Sequence, residues 1–294
     1  MPRWHVFVNR ASGRSGVDPK TVEDILGSLD LDAVIVVPGS RGEMTQMIQA
    51  AARDGAEQFA VVGGDGTVNL AINALLPLEL GFRPVLGVLP VGTGCDLLRT
   101  FAIPQDLASA AGHLKTKDIY PVDVATLEGV WGLRYFVNVA QAGVGAAAAQ
   151  TAPRFGRWLG ATRYPLAFVA RLPGFPRANV TVTTERRVLE SEALAVILAN
   201  AQFFAGGWNV APKATLMDGV LDIQVIDALK RQAPALVPKI IKGTHLRDHS
   251  VRRLSAAEFE VTTEPVWPVE CDGDHIGNTT VRGRVVPAAI SLKI

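Results

Sequence analysis

The chain has 294 residues, 48% of them hydrophobic and 19% charged, which is ordinary for a globular protein and long enough for two domains. A formal net charge of +1 gives no global attraction to nucleic acid, so an anionic partner must be met by a local patch. Two cysteines, Cys95 and Cys271, make no disulfide framework, no apolar run reaches the ~18–20 residues of a membrane span, and the N-terminus lacks a secretory apolar stretch, so the chain reads as cytoplasmic.

From residue 4 to 120, short apolar runs alternate with helix-like segments. WHVFVN precedes a helix over 18–29, DAVIVV one over 42–54, QFAVV one over 67–76, and PVLGVLP two shorter ones over 96–101 and 105–115. This alternation predicts a parallel sheet covered by helices. Beyond about Tyr120 the strands become mostly consecutive, YFVNVA, ANVTVTT, ALAVILAN, VLDIQVI, FEVTT and RGRVV, with helical periodicity only around 144–171 and 228–243. The expected fold is α/β plus β: a Rossmann-like parallel-sheet nucleotide domain over 1–120 and a mainly antiparallel β-sandwich domain over 121–285. The C-terminal strand 286–294 is a candidate to return to the first domain. The boundary falls at DIYPVDVA without a low-complexity linker, and a cleft between the domains is the expected ligand site.

The most informative stretch is QFAVVGGDGTVNLAINALL, residues 58–76. Gly63, Gly64 and Gly66 let backbone N–H groups converge on an anion at a helix N-terminus, the design of a phosphate cradle. No Gly-Lys-Ser/Thr follows, so this is not a Walker loop; Asp65 stands among the glycines instead. A carboxylate beside phosphate makes sense when a divalent cation bridges the two. The same letters also suit a tight strand-to-helix turn with a capping acid or hydroxyl. A second element, VLGVLPVGTGCDLLRT, repeats the design with Gly92, Thr93, Gly94 and then Asp96. Loops at the carboxyl ends of parallel strands share one edge, so both are placed to face one pocket.

Farther along, CDGDHIG and MDGVLDI each carry Asp-Gly, a strong turn signal. Gly143, Gly145 and Ala148 imitate a dinucleotide fingerprint, but no Asp or Glu lies between Glu128 and Glu185 to hold a ribose, which discards it. That acid-free stretch carries Arg154, Arg157, Arg163 and Arg171 among Phe155, Trp158, Tyr164 and Phe168. A second basic segment, 229–253, includes Lys230, Lys239, Lys242, Arg252 and Arg253 with Asp248 as its acid. Such segments suit transient docking on an anionic membrane and equally suit a solvated basic face with aromatics turned inward. No nucleic-acid recognition motif accompanies the charge.

GGDGTVN together with LPVGTGCDLLR resembles the diacylglycerol kinase catalytic domain family, the group of bacterial soluble lipid kinases, sphingosine kinases and ceramide kinases. VNRASGRSG is similar to its Asn-Pro-x-x-Gly opening, NVAQAGVGAAAA to its glycine segment, ANAQFFAGGWNVAPKATLMDGVLDIQVI to its long Asn…Gly…Pro-x-Ala…Asp-Gly signature, and ECDGDHIG to its late Asp-Gly-Glu motif. The matches run in order over essentially the whole chain. The resemblance implies transfer of the γ-phosphoryl group of ATP, with Mg²⁺, to a lipid hydroxyl met at the membrane surface. It implies nucleotide contacts at Asn9, Ser40, Gly63, Gly64, Asp65, Gly66, Thr67, Asn69, Gly92, Thr93, Gly94 and Asp96, with Asp65 and Asp96 serving the metal–nucleotide complex. It implies a divalent-ion site with Asp218 as side-chain ligand and the carbonyls of Thr215 and Val220 alongside. The catalytic base falls on Asp274, where the family usually has Glu, so its carboxylate sits about 1.3–1.5 Å further back. Asp272 could orient that turn, and His275 could serve as base instead. Cys95 replaces the usual Asn of the second loop and Arg10 the usual Pro of the opening. Two other readings stand beside this one: an NAD kinase-like small-molecule kinase, which shares the Gly-Gly-Asp-Gly loop, and a catalytically silent lipid-binding homologue.

Overall fold

The computed structural model describes residues 3–13, 16–91 and 95–294. The chain divides into two compact units, Met1–Val124 with Pro287–Ile294, and Ala125–Val286. In the first unit, strands β1 (Trp4–Val8), β2 (Ala33–Val36), β3 (Gln58–Gly63) and β4 (Val85–Pro90) alternate with helices α1 (Pro19–Ser28), α2 (Arg41–Arg53) and α3 (Asp65–Leu75). Helices α4 (Asp96–Thr100) and α5 (Leu107–Gly112) follow. The strands pair in parallel in the order β2-β1-β3-β4, and the chain's last strand adds beside β4 through Ser291 and Leu292.

Both faces of this sheet are covered, which is why its strands read as continuous apolar runs rather than alternating ones. Trp4, Val6, Val8, Ala60 and Val62 pack with Val22 and Leu26 of α1 and Ala111 of α5. Phe7, Phe59 and Val61, which point the opposite way by strand alternation, are equally buried on the side of α2 and α3. The chain leaves β1 toward β2 on one side and returns to β3 on the other. That order reversal puts a crevice at the carboxyl ends of β1 and β3, where open α/β sheets hold ligands.

Helix capping separates the elements by role. Asp18 caps α1, Ser40 caps α2 and Asp106 caps α5, each through its own side chain. Neither α3, preceded by Gly64, nor α4, preceded by Cys95, has a side-chain cap from its own N-cap residue. Helix α3 starts at Asp65, two residues earlier than the apolar periodicity suggests, because the Gly64 carbonyl already accepts the N–H groups of Thr67 (2.8 Å) and Val68 (3.2 Å).

The second unit is built from β5 (Ile119–Gly129), which begins in the first unit, β6 (Gly132–Phe136), β7 (Val139–Gly143), β8 (Ala178–Thr184), β9 (Val188–Ala193), β10 (Ala195–Ala199), β11 (Phe203–Phe204), β12 (Trp208–Asn209), β13 (Leu221–Ile226), β14 (Val251–Ala256), β15 (Glu258–Glu264), β16 (Pro268–Cys271), β17 (Asp274–Asn278) and β18 (Val281–Lys293), which ends in the first. Helices α6 (Val144–Thr151), α7 (Arg163–Arg171) and α8 (Ala233–Ile241) complete it. One antiparallel sheet runs β14-β13-β10-β7-β16-β17. The other sets β15 between β18 and β8, with β9 beyond β8 and the β5–β6 hairpin on β18. Ala142, Val196, Leu198 and Ile223 from the first sheet and Val180, Val182, Phe259 and Val261 from the second share one core around the fully buried Trp267, which makes a sandwich.

Two elements differ from the sequence pattern for identifiable reasons. YFVNVA reads as one strand but is split into β6 and β7, because the N–H groups of Val137, Asn138 and Val139 all donate to the Asp272 carboxylate. Strand β9 escapes detection because half of its sequence VLESEA is polar and only Ala193 of it is buried. Among the described residues no helix is long and apolar enough to cross a membrane.

Candidate active site

At the carboxyl end of β3 the chain passes through Gly63 and Gly64 into α3. The two glycines are required for different reasons. A Cβ on Gly63 would overlap the Thr67 hydroxyl and crowd that of Ser12, whereas a Cβ on Gly64 would meet nothing within 4 Å. Gly63 is sealed inside the turn; Gly64 faces open space where a ligand can approach the backbone. The Asn9 side chain, at the end of β1, donates to Thr67 Oγ1 (2.9 Å) and accepts from Ala11 N–H (3.1 Å), so the opening motif braces the glycine loop. The N-terminus of α3 brings the partial positive charge of its helix to this turn, beside the open backbone at Gly64, so these residues fit a nucleotide phosphate. Asn69 and Asn73 share one helix face, Asn73 Nδ2 donating to Asn69 Oδ1 at 3.1 Å. Gly63→Ala is expected to destabilise the unit by about 1–3 kcal/mol through overpacking. Gly64→Ala is expected to keep the wild-type melting temperature while raising KM for nucleotide; parallel melts and kinetics check the pair.

Asp65 has a partner set that the sequence did not reveal. Its carboxylate accepts the N–H groups of Asp96 (3.0 Å) and Leu97 (3.2 Å) and the thiol of Cys95 (3.1 Å). It thus supplies the cap that α4 lacks and clasps the Gly63–Gly66 turn to the start of α4. Cys95 is buried, and burial followed by the neighbouring Asp65 charge pushes its thiol well up, which keeps it protonated and donating. Its N–H is held by Gln105 Oε1 at 2.7 Å. Asp96 is turned inward, 5% exposed, and paired with Arg99 at 3.3 Å. Gly92, Thr93 and Gly94 lie outside the described residues. Ser40, expected on nucleotide, is engaged as the cap of α2, accepting from Glu43 N–H (3.1 Å). The residue after it is one that the sequence reading missed: Arg41 stands beside Gly66, its Nη1 3.7 Å from where a Cβ would be. Nothing in the local pattern distinguished it from other surface arginines.

In the second unit, β16 and β17 form a two-residue hairpin in which Cys271 pairs with Asp274. Asp272 (φ 45°) and Gly273 (φ 93°) both take positive φ, the turn that Asp-Gly favours. Asp272 orients it, as the sequence suggested, by accepting the amides of Val137, Asn138 and Val139 at 2.9–3.0 Å while its own N–H donates to the Val139 carbonyl. Asp274 is exposed at the start of β17. His275 Nδ1 lies 3.0 Å from the Val269 carbonyl and 2.7 Å from the Gln150 side-chain amide, which engages one face of the alternative base. Glu270, which the sequence reading passed over, is fully buried behind the turn, and burial together with Asp272 and Asp274 pushes it up to about 8.

Beside this hairpin lies an apolar cavity of about 60 Å³ lined by Val144, Phe168, Leu194, Ile197, Leu236 and Ile240, with Gln141 and Tyr164 as its polar end. Thr215, Asp218 and Val220 lie in the turn before β13, where Asp218 Oδ1 accepts the Val220 N–H (3.2 Å) and Gly219 takes φ 72°. Among the described residues no three His, Cys, Asp or Glu side chains gather as a metal cluster. The turn offers one carboxylate, already bonded to an amide, plus carbonyls. Mg²⁺ commonly binds through one or two carboxylates and the substrate phosphates, so this donor set fits an ion only as an accessory ligand.

A glycine-rich strand-to-helix turn at the switch point of a doubly wound parallel sheet, in a chain that also carries a β-sandwich unit with an apolar cavity, is the architecture of a two-domain α/β plus β protein. Residues 3–127 match the diacylglycerol kinase catalytic domain, and residues 138–294 match the YegS C-terminal NAD kinase beta sandwich-like domain. The chain belongs to the diacylglycerol kinase family of lipid kinases, with a YegS-type C-terminal domain. It is 25% identical over 288 residues to "Probable lipid kinase YegS-like" of Klebsiella pneumoniae (strain 342), covering 96% of this chain and 94% of that protein. It is 26% identical over 283 residues to "Diacylglycerol kinase" of Bacillus subtilis (strain 168), covering 94% and 91%. The crystal structure of a diacylglycerol kinase from Bacillus anthracis str. Sterne has the same fold, with a TM-score of 0.76 at 24% identity over 99% of this chain and 96% of that one.

Proposed function

We propose that the protein transfers the γ-phosphoryl group of ATP to the hydroxyl of an apolar lipid of the diacylglycerol or sphingoid type. The observation that carries the acceptor class is the cavity: its walls are mainly aliphatic and aromatic, which suits an acyl or alkyl chain and offers a charged dinucleotide such as NAD no charged side chain to pair with. On this reading Asn9, Gly63, Gly64, Gly66, Thr67 and Asn69 hold the nucleotide phosphates, with Gly92, Thr93 and Gly94 of the second loop and Asp96 supporting them. Asp65 holds that second segment in register. Mg²⁺ bound with the nucleotide would supply neutralisation of the phosphate charge, and Asp218 with the Thr215 and Val220 carbonyls would hold an accessory ion. Asp274 accepts the proton of the lipid hydroxyl, whose pKa is far above 7 and which therefore needs a positioned base.

A lipid acceptor has to be met at its own surface. Trp158, 84% exposed, and Leu166 and Val169 of α7 accompany Arg154 and Arg171 in a stretch without acids, which supports peripheral docking on an anionic bilayer. The test is incubation with labelled ATP, Mg²⁺ and a panel of dioctanoylglycerol, sphingosine and NAD, the lipids in phosphatidylglycerol vesicles. Label in a lipid is expected. Label in NAD instead replaces the lipid reading, and lipid binding without transfer to any acceptor identifies a silent homologue.

A further inference from the structure

Glu270 is a fully buried ionisable side chain that the chemistry above leaves unused. It sits on β16, two residues before the turn at Asp272. One carboxyl oxygen accepts the N–H of Gly273 in that turn; the other accepts Gln141 Nε2 at 2.7 Å. Gln141 Nε2 also reaches the Tyr164 hydroxyl (3.2 Å), and that hydroxyl donates to the Gly145 carbonyl (3.2 Å). Gln141, Gly145 and Tyr164 line the apolar cavity. An unbroken line of hydrogen bonds therefore joins the turn that bears Asp274 to the cavity wall. The glycines that imitate a dinucleotide fingerprint belong to this line: Gly143 takes φ 105° to start α6, and a Cβ on Gly145 would overlap Gln141 Oε1. A hairpin needs none of this for stability, since an apolar residue at 270 would avoid the cost of burying a carboxyl.

Resting on the kinase reading, we propose that Glu270 is a positioning residue: it fixes the turn that presents Asp274 and couples that turn, through Gln141 and Tyr164, to occupancy of the apolar cavity. The groups facing it are Asp272 and Asp274 on its own hairpin, Cys271 beside it, His275 across the hairpin, Gln141 of β7 and Tyr164 of α7, with Arg134 of β6 acting on Cys271. Ionised Glu270 accepts from the Gln141 amide; protonated, it donates to it, which turns the amide over and changes what Tyr164 meets. Its folded pKa of about 8 lies above the ordinary 4.5, so the native state takes up a proton between those values and loses stability as pH rises through that window. Glu270→Gln cannot ionise and removes that loss.

The experiment compares kcat–pH profiles of wild type and Glu270→Gln with Mg²⁺–ATP and dioctanoylglycerol, and titrates the ¹³C-labelled Glu270 carboxyl with and without that lipid in wild type and Tyr164→Phe. The wild-type profile is expected to carry a limb near pH 8 that Glu270→Gln lacks. Above that pH, where wild-type Glu270 is ionised and the variant stays neutral, the two kcat values separate roughly 10- to 100-fold at unchanged KM for ATP, the effect of moving a catalytic group by a fraction of an ångström to an ångström. Lipid is expected to move the Glu270 titration in wild type and not in Tyr164→Phe. A Glu270→Gln enzyme with wild-type kcat and the same limb, or a titration indifferent to lipid in wild type, overturns the coupling. Wild type that phosphorylates no acceptor overturns the kinase reading instead, and the carboxyl titration then decides the coupling alone.

Discussion

Asp274→Ala is expected to lower kcat for lipid phosphorylation by about 10²- to 10⁴-fold, the range for losing a positioned general base. KM for ATP and the melting temperature are expected to stay at wild-type values. The side chain is exposed, and the turn that presents it is held by other groups, the Asp272 carboxylate on three amides and Glu270 on Gly273 N–H. Asp274→Glu lengthens the reach by one methylene on the same turn, so it should keep or raise kcat rather than reduce it. His275→Ala separates the two candidate bases, since it removes the imidazole and leaves the hairpin register at Cys271 and Asp274 in place. Steady-state kinetics on the three variants decide: wild-type kcat in Asp274→Ala with loss in His275→Ala transfers the role to histidine.

The glycine loop was legible in the sequence because its signal is local: an apolar strand, three glycines and a helix occupy nineteen consecutive residues, 58–76. The parallel sheet was legible for a related reason, since strands buried on both faces leave unbroken apolar runs such as QFAVV. The partners of Asp65 were not legible. They lie 30–32 residues away, and two of them are backbone N–H groups that every residue carries, so no letter marks them. The same holds for Asp272, whose carboxylate accepts N–H groups 133–135 residues upstream and so breaks YFVNVA into two strands. Glu270 was overlooked for a different reason. A glutamate in a strand of mixed polarity reads as a solvent-facing residue, and only the placement of Gln141 and Tyr164 turns it inward. Carboxylates in this protein are thus used first to hold backbone amides in loops that must keep a shape, and that use is invisible to spacing.

The clasp at Asp65 makes the second large prediction, because it assigns the same residue a stability role and a catalytic one. Asp65→Ala leaves the first amides of α4, at Asp96 and Leu97, without their acceptor and removes the anion that receives the Cys95 thiol. Hydrogen bonds to a charged group are worth about 1.5–3 kcal/mol each, and water entering the site recovers part of that, so a net loss of about 2–4 kcal/mol is expected. The melting temperature should fall by several degrees, at roughly 2–4 °C per kcal/mol for a protein of this class of size. Turnover should be lost as well, because the start of α4 is no longer tied to the Gly63–Gly66 turn. Asp65→Asn distinguishes the two contributions: it keeps one acceptor oxygen but turns an NH₂ group toward amide donors, so its melting temperature should fall between wild type and Asp65→Ala. If the carboxylate served only the charge of the nucleotide complex, both variants would melt with wild type and differ only in activity. Alkylation of Cys95 gives an independent reading of the same clasp, since a thiol buried and held protonated in the native protein should react faster with iodoacetamide once α4 loses its cap. An unchanged melting temperature together with an unchanged alkylation rate in Asp65→Ala would remove the clasp and return Asp65 to the nucleotide alone.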